Sequence, residues 1–204
     1  DLIKEYMTEH QRIIFNGNGY SDEWVVEAEK RGLPNIKSMI EAASTLTSEK
    51  AVALFEKFGI YTKAELESRE EIIYETYAKT INIEALTMID MAGKQIIPAV
   101  VKYTKTLADT ANAIKAAGGD ASVQTELLAD VSTKLAAMQK ELNKLVADEK
   151  EASAMEDVKA QAFFYKDTIK ATMDELRKPA DELEMIVDKD VWPIPTYGEL
   201  MFEV

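Results

Sequence analysis

VQTELLADVSTKLAAMQKELNKL, residues 123–145, decides the fold class of this chain. Its apolar residues Val123, Leu127, Val131, Leu135, Met138, Leu142 and Leu145 recur at spacings of 4, 4, 4, 3, 4 and 3, so they line one side of an α-helix and approach a heptad. A second stripe follows through Val158, Ala162, Tyr165, Ile169, Met173, Leu176, Ala180, Leu183 and Val187. No Gly or Pro separates the two stripes, yet one helix of about 65 residues would extend about 100 Å at ~1.5 Å per residue, with nothing to bury against. A turn is therefore predicted near Lys150 to Ala154.

Upstream, Gly118-Gly119-Asp120 forces a reversal, with Gly118 suited to end one helix and Asp120 to begin the next. Before it, Ile73, Tyr77, Ile81, Ala85, Met88 and Ile89 open a stripe that continues through Ile96, Ile97, Val100, Val101, Leu107, Ala111 and Ile114. Thr62-Lys63-Ala64-Glu65 offers a capping box for its start. Gly93 and Pro98 interrupt it, and an interior proline removes a helix hydrogen bond, which predicts a kink or a break into two helices. Thr62 to Val187 thus reads as an antiparallel bundle of about three long helices.

Residues 1–61 read as a cluster of short helices. An amphipathic segment runs from Asp1 to about Phe15, with Ile3, Tyr6, Met7, Ile13 and Ile14 set against Lys4, Glu5, Glu9 and Arg12. Asn16-Gly17-Asn18-Gly19 stops it and is predicted to connect two helices through left-handed backbone. Ser21 is the expected cap of a helix ending at Gly32 with Pro34 beyond, Asn35 of the next, and Thr47-Ser48-Glu49 of a third closed by Gly59. Residues 188–204 read as an extended segment, because Trp192-Pro193-Ile194-Pro195 excludes helix and central strand alike. Its residues Trp192, Ile194, Tyr197 and Phe202 are the candidate interaction residues. Such aromatic anchors settle either on their own bundle or on a partner, and both readings stand. The fold class is all-α, divided as 1–61, 62–187 and 188–204.

Composition narrows the chemistry. The chain has 204 residues, 24 Lys and Arg against 37 Asp and Glu, and a formal charge of −13, which argues against phosphate backbones and anionic lipid as partners. No uninterrupted apolar run approaches the roughly 18 residues of a membrane span and no signal peptide opens the chain, so a soluble protein is expected, with no nucleic acid and no membrane as partner. The absence of Cys removes disulfides, thiolate catalysis and thiolate-held metals, and suits a reducing cytoplasm. The chain begins at Asp1 without Met, which points to a processed product or an excised piece of something larger.

No motif assembles a catalytic, cofactor-binding or metal site. His10 is the single histidine and sits between Glu9 and Gln11, a polar helical setting that suits a structural or solvated role. Gly17-Asn18-Gly19 lacks the preceding strand, the third Gly and the Gly-Lys-Ser/Thr that a phosphate loop needs. The acidic clusters Glu65, Glu67, Glu70 and Glu71, then Asp148, Glu149 and Glu151, then Asp181, Glu182 and Glu184 alternate with Lys or Arg and lack calcium-loop spacing, so they read as solvated helix faces.

Three segments are more specific than helix-forming composition. Ile13-Ile14-Phe15-Asn16-Gly17-Asn18-Gly19-Tyr20-Ser21-Asp22-Glu23-Trp24 with Arg31-Gly32-Leu33-Pro34-Asn35, Ser68-Arg69-Glu70-Glu71 through Asn82-Ile83-Glu84-Ala85, and Trp192-Pro193-Ile194-Pro195-Thr196-Tyr197-Gly198 resemble the C-terminal portion of a type III glutamine synthetase, the large form found mostly in bacteria. The resemblance spans essentially the whole chain. It implies a cytoplasmic parent enzyme that joins ammonia to glutamate with ATP and a divalent metal, Mg or Mn, through γ-glutamyl phosphate, in stacked rings of subunits. The motifs that bind metal, nucleotide and glutamate in that family lie upstream of Asp1, so no catalytic residue is carried over. The resemblance further implies that Asp1 to about Asn35 finishes the catalytic domain and that the rest is a helical extension. Two roles follow for this chain: a structural and assembly module that packs on the catalytic domain of the same enzyme and on neighbouring subunits, or a regulatory module that binds a protein or metabolite.

Overall fold

Thr62 closes the predicted capping box: its backbone N–H donates to Glu65 Oε2 at 2.8 Å, and the Glu65 N–H returns to the Thr62 hydroxyl at 3.4 Å. From there the computed structural model, which describes residues 1–195 and 197–202, with the backbone alone at Tyr197, runs as α5 (Lys63–Met91), a π-turn (Ala92–Ile96) and α6 (Ile97–Ala116). Pro98 does not break this first rod. In plain α-helix its ring would press on the Lys94 carbonyl and its missing N–H would orphan that acceptor. The π-turn widens the preceding turn, and the Ile97 N–H reaches back five residues to the Ala92 carbonyl. Gly93 lies in that turn, where an added Cβ would sit 3.6 Å from Leu142.

Gly118 reverses the chain at φ +79°, the left-handed conformation that only glycine adopts cheaply. Asp120 accepts from the Ser122 N–H at 2.9 Å, and α7 (Ser122–Ser153) follows as the second rod. Its cap position is Ala121, one residue beyond the expected Asp120. The second turn falls at residues 154–157, starting where the predicted turn ended, because Asp157 accepts from the Ala160 N–H at 2.7 Å and restarts the helix there. The third rod is α8 (Val158–Phe164), a second π-turn (Tyr165–Ile169) and α9 (Lys170–Glu184). Pro179 lies inside α9 without ending it.

Residues 68–204 form one cluster of internal contacts. Its core holds Ile81, Val100, Val131, Met138, Leu142, Leu145, Tyr165, Ile169, Leu176, Leu183 and Trp192. These are the apolar faces that the spacings pick out, and each fully buried Leu or Ile contributes about 1.5–3 kcal/mol relative to exposure. Leu145→Ala, at a position with no exposure, would cost about 2–5 kcal/mol. Beyond Val187, residues 188–195 carry turns and bends. A short helix α10 (Tyr197–Phe202) then stands where an extended end was expected, since no proline follows Pro195 to prevent it.

Residues 1–67 form the other cluster. It contains α1 (Leu2–Glu9), a 3-10 turn (Gln11–Ile13), α2 (Asp22–Lys30), α3 (Met39–Ala43) and α4 (Glu49–Lys57). Gly32 and Gly59 end α2 and α4 at φ +73° and +61°. Two expectations are corrected. The cap of α3 is Ser38 rather than Asn35, because Glu41 three residues on completes a capping box with Ser38. Asn16 to Gly19 contains no left-handed residue: positive φ among the described residues is confined to Gly32, Gly59 and Gly118. There is no strand among the described residues, and no helix among them is long and apolar enough to cross a membrane.

Candidate interaction surfaces

Trp192 and Ile194 lie on this chain's own bundle. Trp192 is 8% exposed and belongs to the core, while Ile194 and Val191 are half-buried against it. Trp192 and Ile194 border a groove of about 320 Å³ with Met88, Met91, Ile96 and Leu200. The Trp192 Nε1–H is buried without a hydrogen-bond partner among the described residues, a charge against an otherwise favourable burial. Phe202 is 78% exposed on α10, beside exposed Leu200 and Met201, and the Tyr197 side chain lies outside the described residues. The four candidate residues are therefore not one surface: Trp192 is core, Ile194 packs against the core, and Phe202 faces outward.

The acidic clusters are mostly the solvated faces expected, paired along their own helices as in Lys63 with Glu67 at 3.6 Å and Arg177 with Asp181 at 3.1 Å. Glu70 is the correction. It is buried, accepts from the Tyr74 hydroxyl at 2.7 Å, and meets Lys159 of the third rod at 3.6 Å. Asp148 is likewise drawn inward, taking the Thr172 hydroxyl at 2.7 Å and Lys144 at 2.9 Å. A lone buried carboxylate is costly, so each of these comes with its donors. Nearby, burial pushes the Tyr165 hydroxyl up from its ordinary value of 10.0, with Ser153 and Asn82 facing it and Glu149 adding to the rise. Lys134 is held protonated to higher pH by its hydrogen bond with Asp130 and by Glu182. These groups tie rods together and leave no converging set of three His, Asp or Glu among the described residues. The Glu70 and Asp148 carboxylates are already engaged by Tyr74 and Lys159 and by Thr172 and Lys144, so this donor set does not fit a divalent metal. His10 is exposed and stacks on Tyr6 with ring centroids 6.1 Å apart.

A second cluster was missed by reading spacings. The Phe15 and Trp24 rings meet tilted at 32° with centroids 4.6 Å apart, and the Arg31 guanidinium lies 6.0 and 5.9 Å from their ring centres. Arg31 donates to the Ile14 and Arg12 carbonyls and pairs with Glu27 at 2.7 Å. A Cβ at Gly17 would meet the far end of the Phe15 ring at 2.6 Å, so a larger residue displaces that ring, whereas Gly19 has open space around it. Asn18 Oδ1 accepts from the Tyr20 N–H at 3.0 Å, and the Asn18 carbonyl accepts from the Ser21 hydroxyl at 2.8 Å. Ser21 therefore spends its side chain on the loop rather than on capping α2. Tyr20 emerges at 102% exposure. The only sequence signal for this cluster was the specificity of the stretch from Ile13 to Trp24 and Arg31 itself.

The two clusters differ sharply in what they bury. Among the described residues, 1–67 contain just four of the buried apolar ones, Ala28, Ile40, Ala43 and Leu66, but more than half of the exposed large ones. Helix α1 buries none of its residues, and Leu2, Ile3, Tyr6 and Met7 are all more than half exposed.

Comparison with known proteins completes the picture. Residues 1–115 match the family described as Glutamine synthetase C-terminal domain. The chain is 40% identical to a glutamine synthetase of Butyrivibrio fibrisolvens over all of its own length and 29% of that relative. It is 34% identical to the type-3 glutamine synthetase of Dictyostelium discoideum and 30% identical to a glutamine synthetase of Bacteroides fragilis (strain YCH46), in each case over 98% of its own length and 28% of the relative's. The chain thus spans less than a third of the length of these relatives. A match over more than half of its residues, including the whole Phe15, Trp24 and Arg31 cluster, shows that the chain belongs to the glutamine synthetase C-terminal domain family.

Proposed function

We propose that this chain is the helical C-terminal part of a cytoplasmic enzyme that makes glutamine from glutamate, ammonia and ATP, and that its role is structural: it packs on the catalytic part of the same polypeptide and supports a ring-shaped homo-oligomer. ATP and the divalent metal, Mg or Mn, are held in the catalytic part. Residues 1 to about 35 complete that part, residues 62–187 form the appended bundle, and 188–204 secure it.

The observation that carries this reading is the unfilled apolar surface of residues 1–67. A self-sufficient unit buries its large apolar side chains, and scattered exposure is ordinary, but a helix with Leu2, Ile3, Tyr6 and Met7 all uncovered is half of an interface. The relatives contain more than twice as much chain outside the match as within it, which supplies a covering partner in the same polypeptide.

The test is to mix this chain with the separately produced preceding part and to follow ATP-dependent glutamine formation together with particle mass. Activity and large particles that return only on mixing support the assembly role. A preceding part that is fully active and fully assembled alone would refute it.

A further inference from the structure

Resting on that reading, we propose that Tyr20 is the anchor residue by which this chain docks on the preceding part of its polypeptide, and that the Phe15, Trp24 and Arg31 cluster holds it in its docking pose. Tyr20 is the most exposed large apolar or aromatic residue among those described. A tyrosine left fully open in a floppy loop would be unremarkable; this one is not in a floppy loop. Its own N–H is tied to Asn18, Ser21 makes two bonds to the Asn18 carbonyl, and the feet of the loop are clamped by the tilted Phe15 and Trp24 ring contact and by Arg31. Gly17 allows the Phe15 ring to close over the backbone. These contacts fix the backbone on both sides of Tyr20 while spending nothing on its side chain.

Such pre-ordering lowers the entropy lost on association, and a tyrosine has few torsions left to freeze. Buried aromatic anchors of this kind carry a disproportionate share of interface energy. Ile13, Val25 and Val26, exposed at 59%, 39% and 52%, flank the loop in sequence and supply apolar rim. The complementary chemistry is an apolar socket with a hydrogen-bond acceptor at its floor for the phenol. The occupant is the preceding part rather than a second copy of this chain, because the relatives carry that additional chain in the same molecule at very high effective concentration.

The test compares the full-length enzyme with its Tyr20→Ala and Tyr20→Phe variants, and the same variants in the isolated chain. In the isolated chain both should melt at the wild-type temperature, since the side chain touches nothing. In the full-length enzyme, amides of residues 12–24 should exchange hydrogen at least tenfold more slowly than in the isolated chain. Tyr20→Ala should abolish that protection and reduce the assembled fraction at least tenfold, with Tyr20→Phe intermediate. Wild-type protection and particle mass in Tyr20→Ala would overturn the proposal, as would a lowered melting temperature of the isolated variant, or Tyr20-dependent self-association of the isolated chain. If the wild-type full-length enzyme forms no glutamine from glutamate, ammonia and ATP, the enzymatic reading fails, while the exchange comparison still decides the role of Tyr20.

Discussion

Replacing Trp192 by Ala tests whether the last segment is part of the bundle or only rests on it. A buried Trp removes about 150–250 Å² from water, worth roughly 4–6 kcal/mol at ~25 cal/mol per Å². Against this stands its buried, unpartnered Nε1–H, which costs about 1–3 kcal/mol. Trp192→Ala should therefore destabilise the chain by about 1–5 kcal/mol, which at ~2–4 °C per kcal/mol for a chain of this size lowers the melting temperature by roughly 2–20 °C. Trp192→Phe keeps most of the apolar contact and discards the orphaned donor, so it should lie within about 1 kcal/mol of wild type. Thermal and urea unfolding followed by far-ultraviolet circular dichroism reads both. Equal damage from the two substitutions would mean that the indole N–H has a partner and that the burial of Trp192 has been misjudged; no damage from either would remove Trp192 from the core.

Gly17→Ala should cost up to about 1 kcal/mol, because the Phe15 ring must shift against Trp24 and Arg31, while Gly19→Ala should be neutral or slightly stabilising; paired urea melts separate them. Gly118→Ala should cost about 1 kcal/mol at its positive φ, read in the same way. Tyr165 is neutral in the folded chain to higher pH than in the unfolded one, so its contribution is fully present below the ordinary value of 10.0 and is lost as pH rises through that value and the folded one above it. Lys134, raised by Asp130, loses its contribution in the same direction, as pH rises past its ordinary 10.5. Stability measured from pH 8 to 11.5 should fall, and Tyr165→Phe should flatten part of that fall; an unchanged slope would refute the role of Tyr165.

Much of the architecture was legible because it depends on neighbours three and four residues apart. The stripes from Val131 to Leu145 and from Ala162 to Leu183, the box at Thr62 and the reversal at Gly118 are all local statements. Ser38 was legible too, through Glu41, but Asn35 is by residue type an equally good cap, and only the reciprocal bond with Glu41 separates the two. The π-turns are harder to read: the run Ala92, Ile96, Val100 at spacings of four advances faster than 3.6 residues per turn, and the wide turn absorbs the excess. Burial of Glu70 could not be read locally, since Lys159 reaches it from another rod. The same holds for the interaction cluster. Arg31 meets the Ile14 carbonyl 17 residues away, and no periodicity encodes that contact.

The two π-turns also bear on how the length of this domain can change. Each holds one residue more than the same stretch of α-helix requires, so a single-residue deletion between Tyr165 and Ile169 can be taken up by closing the turn, with Ala162 and Leu176 still facing the core. The second rod has no such slack. A deletion between Ser132 and Ala136 would turn everything beyond it by about 100° and carry Met138, Leu142 and Leu145 away from their partners. Insertions and deletions that persist among relatives should accordingly gather in the first and third rods and spare the second.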